Sequence, residues 1–307
     1  MGKGNGTTNS LAASITWAAS KQTYFTILFL VDRNRVDEAY RAYAYFRWLD
    51  DHLDQDGSEH SERLAFVERQ RNLMEGLFRG EMPTDLLREE RMLAELIKSD
   101  PNGKSGLALY IRNMMAVMQF DANRRGRLIS QSELDDYAGN LAMAVTEALH
   151  YFIGHDSFSP HHSQRYRAAI GAHVTHMLRD TLDDIPTGYI NIPVEILQSN
   201  SLSPSDVDKP RYRDWVAKRV NLARDCFRAG REYLSQVENP RCRLAGYAYI
   251  ARFEVVLKAI ERNKYQLCRD YAECKRPRSA LLLGWSAFSQ AFSIRRPELA
   301  GRILPGG

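Results

Sequence analysis

The sequence predicts an all-α fold in a single domain, and three observations carry that prediction. Apolar residues recur at helical spacing through most of the 307 residues. No stretch alternates apolar and polar residues as a half-buried strand does, and Asn102-Gly103 lies between polar helix ends instead of inside a hairpin. The breaks between helical runs are mostly shorter than about ten residues, as expected where helices fold back on one another in one bundle. No repeat of fixed period is present.

Each element follows from local signals. Met1 to Ser10 is rich in Gly and Asn and lacks a signal peptide's apolar core, so residues 1–10 read as a disordered tail. Gly6 stands where a myristoylation signal needs Ser or Thr. Helices are expected over Leu11–Asp32 and Arg35–Asp54, with a break at Asp32-Arg33-Asn34. Ser61–Arg79 and Thr84–Ser99 follow, punctuated by Gly80 and Pro83. Gly106–Ala122 is apolar, and its Met114, Met115 and Met118 read as core. Ser132–Ile153 opens on Ser132-x-x-Asp135, a capping-box pattern. His161–Leu182 runs up to Pro186-Thr187-Gly188. Asn191 to Pro210 is rich in proline and serine and reads as loop with one short helix at Pro193–Gln198. Pro210–Gln236 and Pro240–Cys274 are long helices, and the stretch from Pro277 holds a last short one. The domain is placed at 11–295, with a tail at 296–307.

Composition narrows the function classes. With 42 basic and 38 acidic side chains the net charge is +4, too mild and too evenly spread for a nucleic-acid partner. The apolar run Ile27 to Val31 is far too short to cross a bilayer. Cys226, Cys242, Cys268 and Cys274 form no Cys-x-x-Cys pair, which argues against zinc and suits buried thiols in a reducing cytosol. A cytoplasmic location is expected.

The chemistry resides in two acidic segments about 130 residues apart: Arg47-Trp48-Leu49-Asp50-Asp51-His52-Leu53-Asp54 and Arg179-Asp180-Thr181-Leu182-Asp183-Asp184. Asp50 and Asp54 are spaced four apart, as are Asp180 and Asp184, which puts each pair on one helix face. Two such faces turned together repel unless hard cations lie between them, and Mg2+ also binds phosphate oxygen. Arg47 and Arg179 precede the clusters and suit bidentate phosphate recognition. The pattern predicts a metal-bridged diphosphate site between helices. An isolated acidic pair at this spacing is usually a solvated face. His173 and His176 share the helix of Asp180, and their rings read as a metal ligand, a diphosphate donor or a proton acceptor. Their unperturbed titration, roughly at pH 6.5, predicts pH-dependent activity.

With these motifs in place the chain resembles the squalene/phytoene synthase family of head-to-head prenyl transferases over roughly residues 20 to 280. Tyr43-Ala44-Tyr45-Phe46-Arg47-Trp48-Leu49-Asp50-Asp51-His52-Leu53-Asp54 looks like the family's Tyr-x-x-x-Arg-x-x-Asp-Asp-x-x-Asp. Met118-Gln119-Phe120-Asp121 and Ser130 to Tyr137 are similar to its mid-chain stretch. Leu178 to Asp184, with Gly188-Tyr189-x-x-Ile192-Pro193, matches its second acidic motif. Tyr265-x-x-x-Arg269 and Lys275-Arg276-Pro277-Arg278 look like its basic C-terminal, phosphate-facing stretch.

The resemblance implies a class I isoprenoid-synthase-like helical bundle with a central cavity. It implies that a prenyl diphosphate of C15 or C20 length binds through Mg2+, or Mn2+, and ionises. The allylic cation then couples to a second prenyl diphosphate. Asp50, Asp54, Asp180 and Asp184 are the implied metal ligands, joined by His176. Arg47, Arg179 and Tyr43 complete the catalytic set. Thr23, Tyr24, Phe46, Tyr137, Leu141, Val145, His173, His176, Phe253 and Arg269 are the implied substrate contacts. Squalene-forming relatives use NADPH without a glycine-rich fingerprint, so the missing fingerprint leaves NADPH open. Peripheral membrane association is expected for release of an apolar product.

The chain departs from the pattern at the reaction centre. His173 and His176 stand where the family has Gln and Asn, Phe253 where it has Tyr, and Thr23-Tyr24 where it has Ser-Phe. These departures keep a second reading open, cyclisation of a single prenyl diphosphate. A third reading is a non-catalytic assembly or binding protein that retains the fold.

Overall fold

A computed structural model describes residues 4–54, 59–100, 103–155 and 157–271. The described residues form eleven α-helices and two short 3₁₀ turns, with no strand. The helices are α1 (Gly4–Ala19), α2 (Lys21–Leu30), α3 (Val36–Leu53), α4 (His60–Phe78), α5 (Arg88–Ser99) and α6 (Gly106–Arg124). They continue as α7 (Gln131–Phe152), α8 (Arg167–Thr187), α9 (Val194–Asn200), α10 (Pro210–Leu234) and α11 (Pro240–Arg262). The all-α prediction holds. Helix α3 packs on α1, α5 and α6, α6 on α7, α7 on α8, and α8 on α10 and α11. One connected apolar core runs through these contacts.

Several boundaries differ from the sequence reading, each for a local reason. The expected disordered tail is helical from Gly4. Thr8 is buried, and the Asn9 side chain donates to Asp37 and accepts from Arg41, which fastens α1 to α3. The expected helix Leu11–Asp32 breaks at Ser20, whose hydroxyl accepts from the Thr23 backbone N–H at 3.1 Å and starts α2. Helix α5 begins at Arg88 instead of Thr84, because Glu90 reaches back to the Leu87 N–H at 2.9 Å. The capping box of α7 is Ser130 with Glu133, not Ser132 with Asp135; each side chain accepts from the other's backbone N–H, at 3.2 and 2.8 Å. The expected helix His161–Leu182 is a 3₁₀ turn, Ser163–Tyr166, followed by α8, which runs on to Thr187. Helix α11 stops at Arg262 and not at Cys274, since Lys264 and Tyr265 take φ of 52° and 62° and turn the chain left-handed. Cys274, the basic run Lys275 to Arg278 and the helix expected from Pro277 lie outside the described residues, as does the 296–307 tail.

Buried polar contacts fix α3, the helix that carries the first acidic pair. The Tyr45 hydroxyl donates to Gln70 Oε1 at 3.0 Å, and Gln70 Nε2 donates to Glu90 Oε1 at 2.8 Å, so α3, α4 and α5 share one chain of hydrogen bonds. The Tyr110 hydroxyl donates to the Ala42 carbonyl at 3.0 Å and ties α6 to α3. Such chains stay satisfied only in one helix register.

The end of α8 is set by glycine. Gly188 has φ of +91° and Gly126 has φ of +84°. The Gly126 N–H donates to the Gly188 carbonyl at 2.8 Å, and a Cβ on Gly188 would sit 3.1 Å from that same nitrogen. The segment after α6 therefore lies directly on the turn after α8. Gly188→Ala, which adds left-handed strain and crowds Gly126, is expected to lower stability by about 1–2 kcal/mol. Chemical denaturation of the two proteins measures it; equal midpoints would show that this crossing relaxes without cost.

Candidate active site

Helices α3 and α8 both end at one cavity, and each brings two aspartates there. Asp50 lies in the last turn of α3 and Asp54 is its C-cap. Asp180 and Asp184 lie in the last two turns of α8. All four line a cavity of about 340 Å³. Its remaining wall comes from Leu53, from Asp121 and Arg124 on α6, from Tyr137 on α7, from His173, His176 and Met177 on α8, and from Tyr189 and Asn191 in the following loop. Carboxylates at helix C-termini face the negative end of the helix dipole, the reverse of the favourable arrangement. Two helices doing so at one cavity concentrate negative potential there.

The electrostatics show where that charge is and is not compensated. Burial first, and then Asp54, push the Asp50 carboxyl up to about 6 despite Arg47. Burial first, and then Asp180, push Asp184 up to about 6 despite Arg124 and an Asn191 hydrogen bond. Burial also raises Asp180, but hydrogen bonds from Arg179 and His176 outweigh it and hold that carboxyl below the usual range. Arg179 grips Asp180 with two bonds, of 2.6 and 2.8 Å, and His176 Nε2 lies 2.9 Å from its Oδ2. Arg47 lies 3.3 Å from Asp50 and also pairs with Asp51. Both arginines predicted to face phosphate are thus turned onto carboxylates of their own helices. His176, expected as a metal ligand, is placed as the partner of Asp180.

A network on α6 that the sequence reading did not single out organises the cavity floor. Arg124 Nε donates to Asp121 at 2.6 Å, and its Nη1 donates to Asn191 Oδ1 at 2.7 Å. Asn191 in turn donates to Asp184 at 2.8 Å, and the Tyr137 hydroxyl donates to Asp121 at 2.9 Å. The Arg124 guanidinium lies 4.9 Å from the ring centres of both Tyr137 and Tyr189. Next to it, Arg125 donates to the Thr187 carbonyl at 3.0 Å and reaches the Leu53 carbonyl at 3.5 Å, so one guanidinium touches the ends of both α8 and α3. The Tyr189 hydroxyl lies 3.3 Å from Asp54 Oδ1. In the sequence, Asp121 and Tyr137 fell within the mid-chain stretch of the resemblance, and the signal for Arg124 and Arg125 was the basic run Arg124-Arg125-Gly126-Arg127 just past an expected helix end.

The remaining predicted residues divide. Tyr137, His173 and His176 line the cavity. Phe253 is buried beside it, 6.2 Å from the His176 ring. Tyr43 is half-buried above Arg47 and hydrogen-bonds Thr23, and burial raises its phenol. Phe46 does not line this cavity: it is buried between Tyr45 and Tyr110 in the α3–α6 core. Tyr24 packs with Trp17, Phe25 and Tyr40 away from the carboxylates. Leu141 and Val145 sit half-buried on α7, off this cavity wall. Arg269 is largely exposed and meets Asp183 at 3.7 Å, because α11 ends before it. His173 is buried, and burial first, then His176, Arg124 and Arg219, push its imidazole down to about 3. It stays neutral across the pH range in which an ordinary histidine titrates, contrary to the pH dependence expected of it.

The donor set fits hard divalent cations. Four aspartates supply only oxygen, and Asp50 and Asp184 are each left short of positive partners. Among the described residues no three His, Cys, Asp or Glu side chains converge on one ion. Without cation, Asp50 and Asp184 hold protons more tightly when folded than a free aspartate with its value of roughly 3.9. Between about pH 4 and 6 these two carboxyls then bind more protons in the folded chain than in the unfolded one, and their own contribution to stability falls as pH rises through that window, while His173 and His150, both held low by burial, contribute in the opposite sense there. Asp180, held low, acts in the opposite sense only below it. In metal-free protein the stability of Asp50→Asn relative to the parent is therefore expected to rise between about pH 5 and about pH 7, because the parent loses the Asp50 contribution over that range. Calorimetry of both after exhaustive chelation checks this, and a flat difference would contradict it.

The fold has known counterparts. The structure superposes on a dehydrosqualene synthase with a TM-score of 0.71 at 16% identity, covering 93% of this chain and 96% of that one. It superposes on squalene synthase HpnC from Alicyclobacillus acidocaldarius with a TM-score of 0.67 at 18% identity, covering 86% and 97%. At these identities the likeness is one of fold. No curated protein matches the sequence. The family described as squalene/phytoene synthase matches residues 17–281, which include both acidic helices, the α6–α7 floor and the loop after α8. The chain belongs to the squalene/phytoene synthase family of prenyltransferase enzymes.

Proposed function

We propose that this enzyme uses divalent cations to ionise an allylic prenyl diphosphate of C15 or C20 length and couples it head-to-head to a second. The observation that carries the proposal is the convergence of Asp50, Asp54, Asp180 and Asp184 on one cavity, with Asp50 pushed up to about 6 by burial and Asp54, and Asp184 pushed up to about 6 by burial and Asp180. These four would hold Mg2+ or Mn2+, which supplies Lewis-acid stabilisation of the charge developing on the leaving diphosphate. Arg47 and Arg179, each already beside this charge, offer planar guanidinium forks to diphosphate oxygens. Asn191 orients Asp184, and Arg124 holds Asn191. Leu53, Met177 and Tyr137 form the apolar part of the wall, where a prenyl chain can lie against carbon and an aromatic face instead of water.

Peripheral membrane association belongs to the same reading. Among the described residues no helix is long and apolar enough to cross a membrane. Trp17, Phe25, Leu28 and Phe29 expose large apolar side chains on α1 and α2, and the Lys21 ammonium lies 5.3 Å over the Trp17 ring. An apolar face edged by lysine supports contact with a lipid surface.

Incubation with C10, C15 and C20 diphosphates, with and without Mg2+ and with and without NADPH, followed by mass analysis, tests the assignment. Head-to-head coupling gives a product of twice the chain length; a cyclised product of single length would instead establish the single-substrate reaction. Asp50→Asn and Asp180→Asn are each expected to lower kcat/KM by at least about 100-fold, within the range for losing one stabilising group at a transition state. Full turnover in excess chelator would sink the metal-diphosphate reading.

A further inference from the structure

The cavity contains one polar side chain that none of the contacts above accounts for. His173 is 7% exposed and lines the cavity, and its buried Nε2 has no hydrogen-bond partner. The ring meets Tyr137 edge-on, with centroids 4.9 Å apart. A buried nitrogen left without a partner is costly, and its place in the cavity wall puts it within reach of a molecule bound there. Of the other bases lining the cavity, Asp50, Asp54, Asp180 and Asp184 are assigned to cations in the function proposed above, and Asp121 is engaged by its neighbours. Asp121 accepts from Arg124 and Tyr137, and Asp180 accepts from Arg179.

We propose that Nε2 of His173 is the base that ends the reaction by taking a proton from the coupled prenyl cation. The inference rests on the function proposed above and assigns its terminating step. In the first step the allylic C–O bond of one substrate breaks, its electron pair leaves with diphosphate, and coupling to the second substrate closes a cyclopropane ring with loss of one proton to the released diphosphate. The C–O bond of the second substrate then breaks in the same sense, its electron pair leaving with the second diphosphate, and rearrangement leaves a carbocation. A C–H bond beside the cationic carbon then breaks; its electron pair becomes the new C=C bond, and the proton binds the Nε2 lone pair. The imidazolium passes that proton to a diphosphate oxygen. The sequence is redox-neutral and needs no nicotinamide, and it gives a neutral polyene with one double bond more than a reductive ending.

The surroundings suit the role. The charged and titratable groups facing the ring are Arg124 on α6, Tyr137 on α7, His176 on its own helix and Arg219 on α10. Burial and the positive members of that set keep the imidazole neutral, and with its proton on Nδ1 the ring presents the Nε2 lone pair to the cavity. A weak base suffices, because a carbocation is a far stronger acid than an imidazolium, and a weak base also surrenders the proton readily. Catalysis by positioned bases contributes about 100- to 10,000-fold.

The test follows the products of the wild-type enzyme, His173→Gln and His173→Phe with an allylic diphosphate and Mg2+, without nicotinamide. Polyene and alcohol are quantified against the diphosphate released, so that partition is read per ionisation. The wild type is expected to give the polyene. Both variants are expected to lower the polyene-to-alcohol ratio at least about tenfold. Histidine ¹⁵N spectra of the substrate-free enzyme provide a second readout, and place the proton of His173 on Nδ1 with Nε2 bare at about neutral pH. An unchanged product ratio, or a proton on Nε2, overturns the proposal. No diphosphate release by the wild type overturns the proposed function and this step with it. Melting curves identify a variant that does not fold, in which case the spectra of the wild type decide.

Discussion

The structure depends on one electrostatic constraint: two helices end at the same cavity, each with two carboxylates at its negative pole. Helices normally place acidic side chains at the other end. Here Asp50 and Asp54 stand at the end of α3, and on α8, which runs to Thr187, Asp184 stands in the last turn with Asp180 one turn before it. Around that conflict the fold supplies fixed positive charge from α6. Arg124 underlies the cavity, and Arg125 holds the last carbonyls of both acidic helices. The crossing of Gly126 and Gly188 allows the two segments to lie close enough for this. The protein thereby brings the acidic helices together without neutralising them, and residual negative charge is left in the cavity.

Compensation within the cavity is uneven, and the unevenness divides the labour. Asp180, bonded by Arg179 and His176, remains ionised through the whole range in which Asp50 and Asp184 gain and lose protons. Asp121 is committed to Arg124 and Tyr137. His173 lies among positive neighbours and is kept neutral, while Asp180, two turns along the same helix, is kept charged. One wall thus presents anionic oxygen and the other a neutral nitrogen beside an aromatic ring. These are the two environments that a reaction through diphosphate departure and a carbocation requires.

The family's regular geometry explains why the helices were legible and why their ends were less so. Helical periodicity placed α3, α4, α6, α7 and α10 to within a few residues, since an amphipathic face must repeat to be buried. Boundaries failed where a single side chain decided them: Ser20 capping α2, Glu90 capping Leu87, and the left-handed Lys264 and Tyr265 ending α11. The tail expected as disordered is held by Asn9 contacts to Asp37 and Arg41, about thirty residues away, which no local window contains. Phe46 illustrates the same limit. It has the residue type of a pocket lining but packs against Tyr45 and Tyr110.

The sequence by itself determined the all-α class, the two acidic helix faces and the arginine beside each, because spacing along one helix fixes which side chains share a face. It also determined that His173 and His176 stand one above the other near Asp180. Only the tertiary structure decided that the two faces share a cavity and that Arg124, Arg125 and Asn191 join them. It likewise decided that Arg47 and Arg179 rest on their own helices' carboxylates, and that one histidine is paired while the other is buried and bare. Those outcomes depend on contacts between residues tens of positions apart, and on burial, which sets the charge of each group. Neither quantity is a property of local sequence.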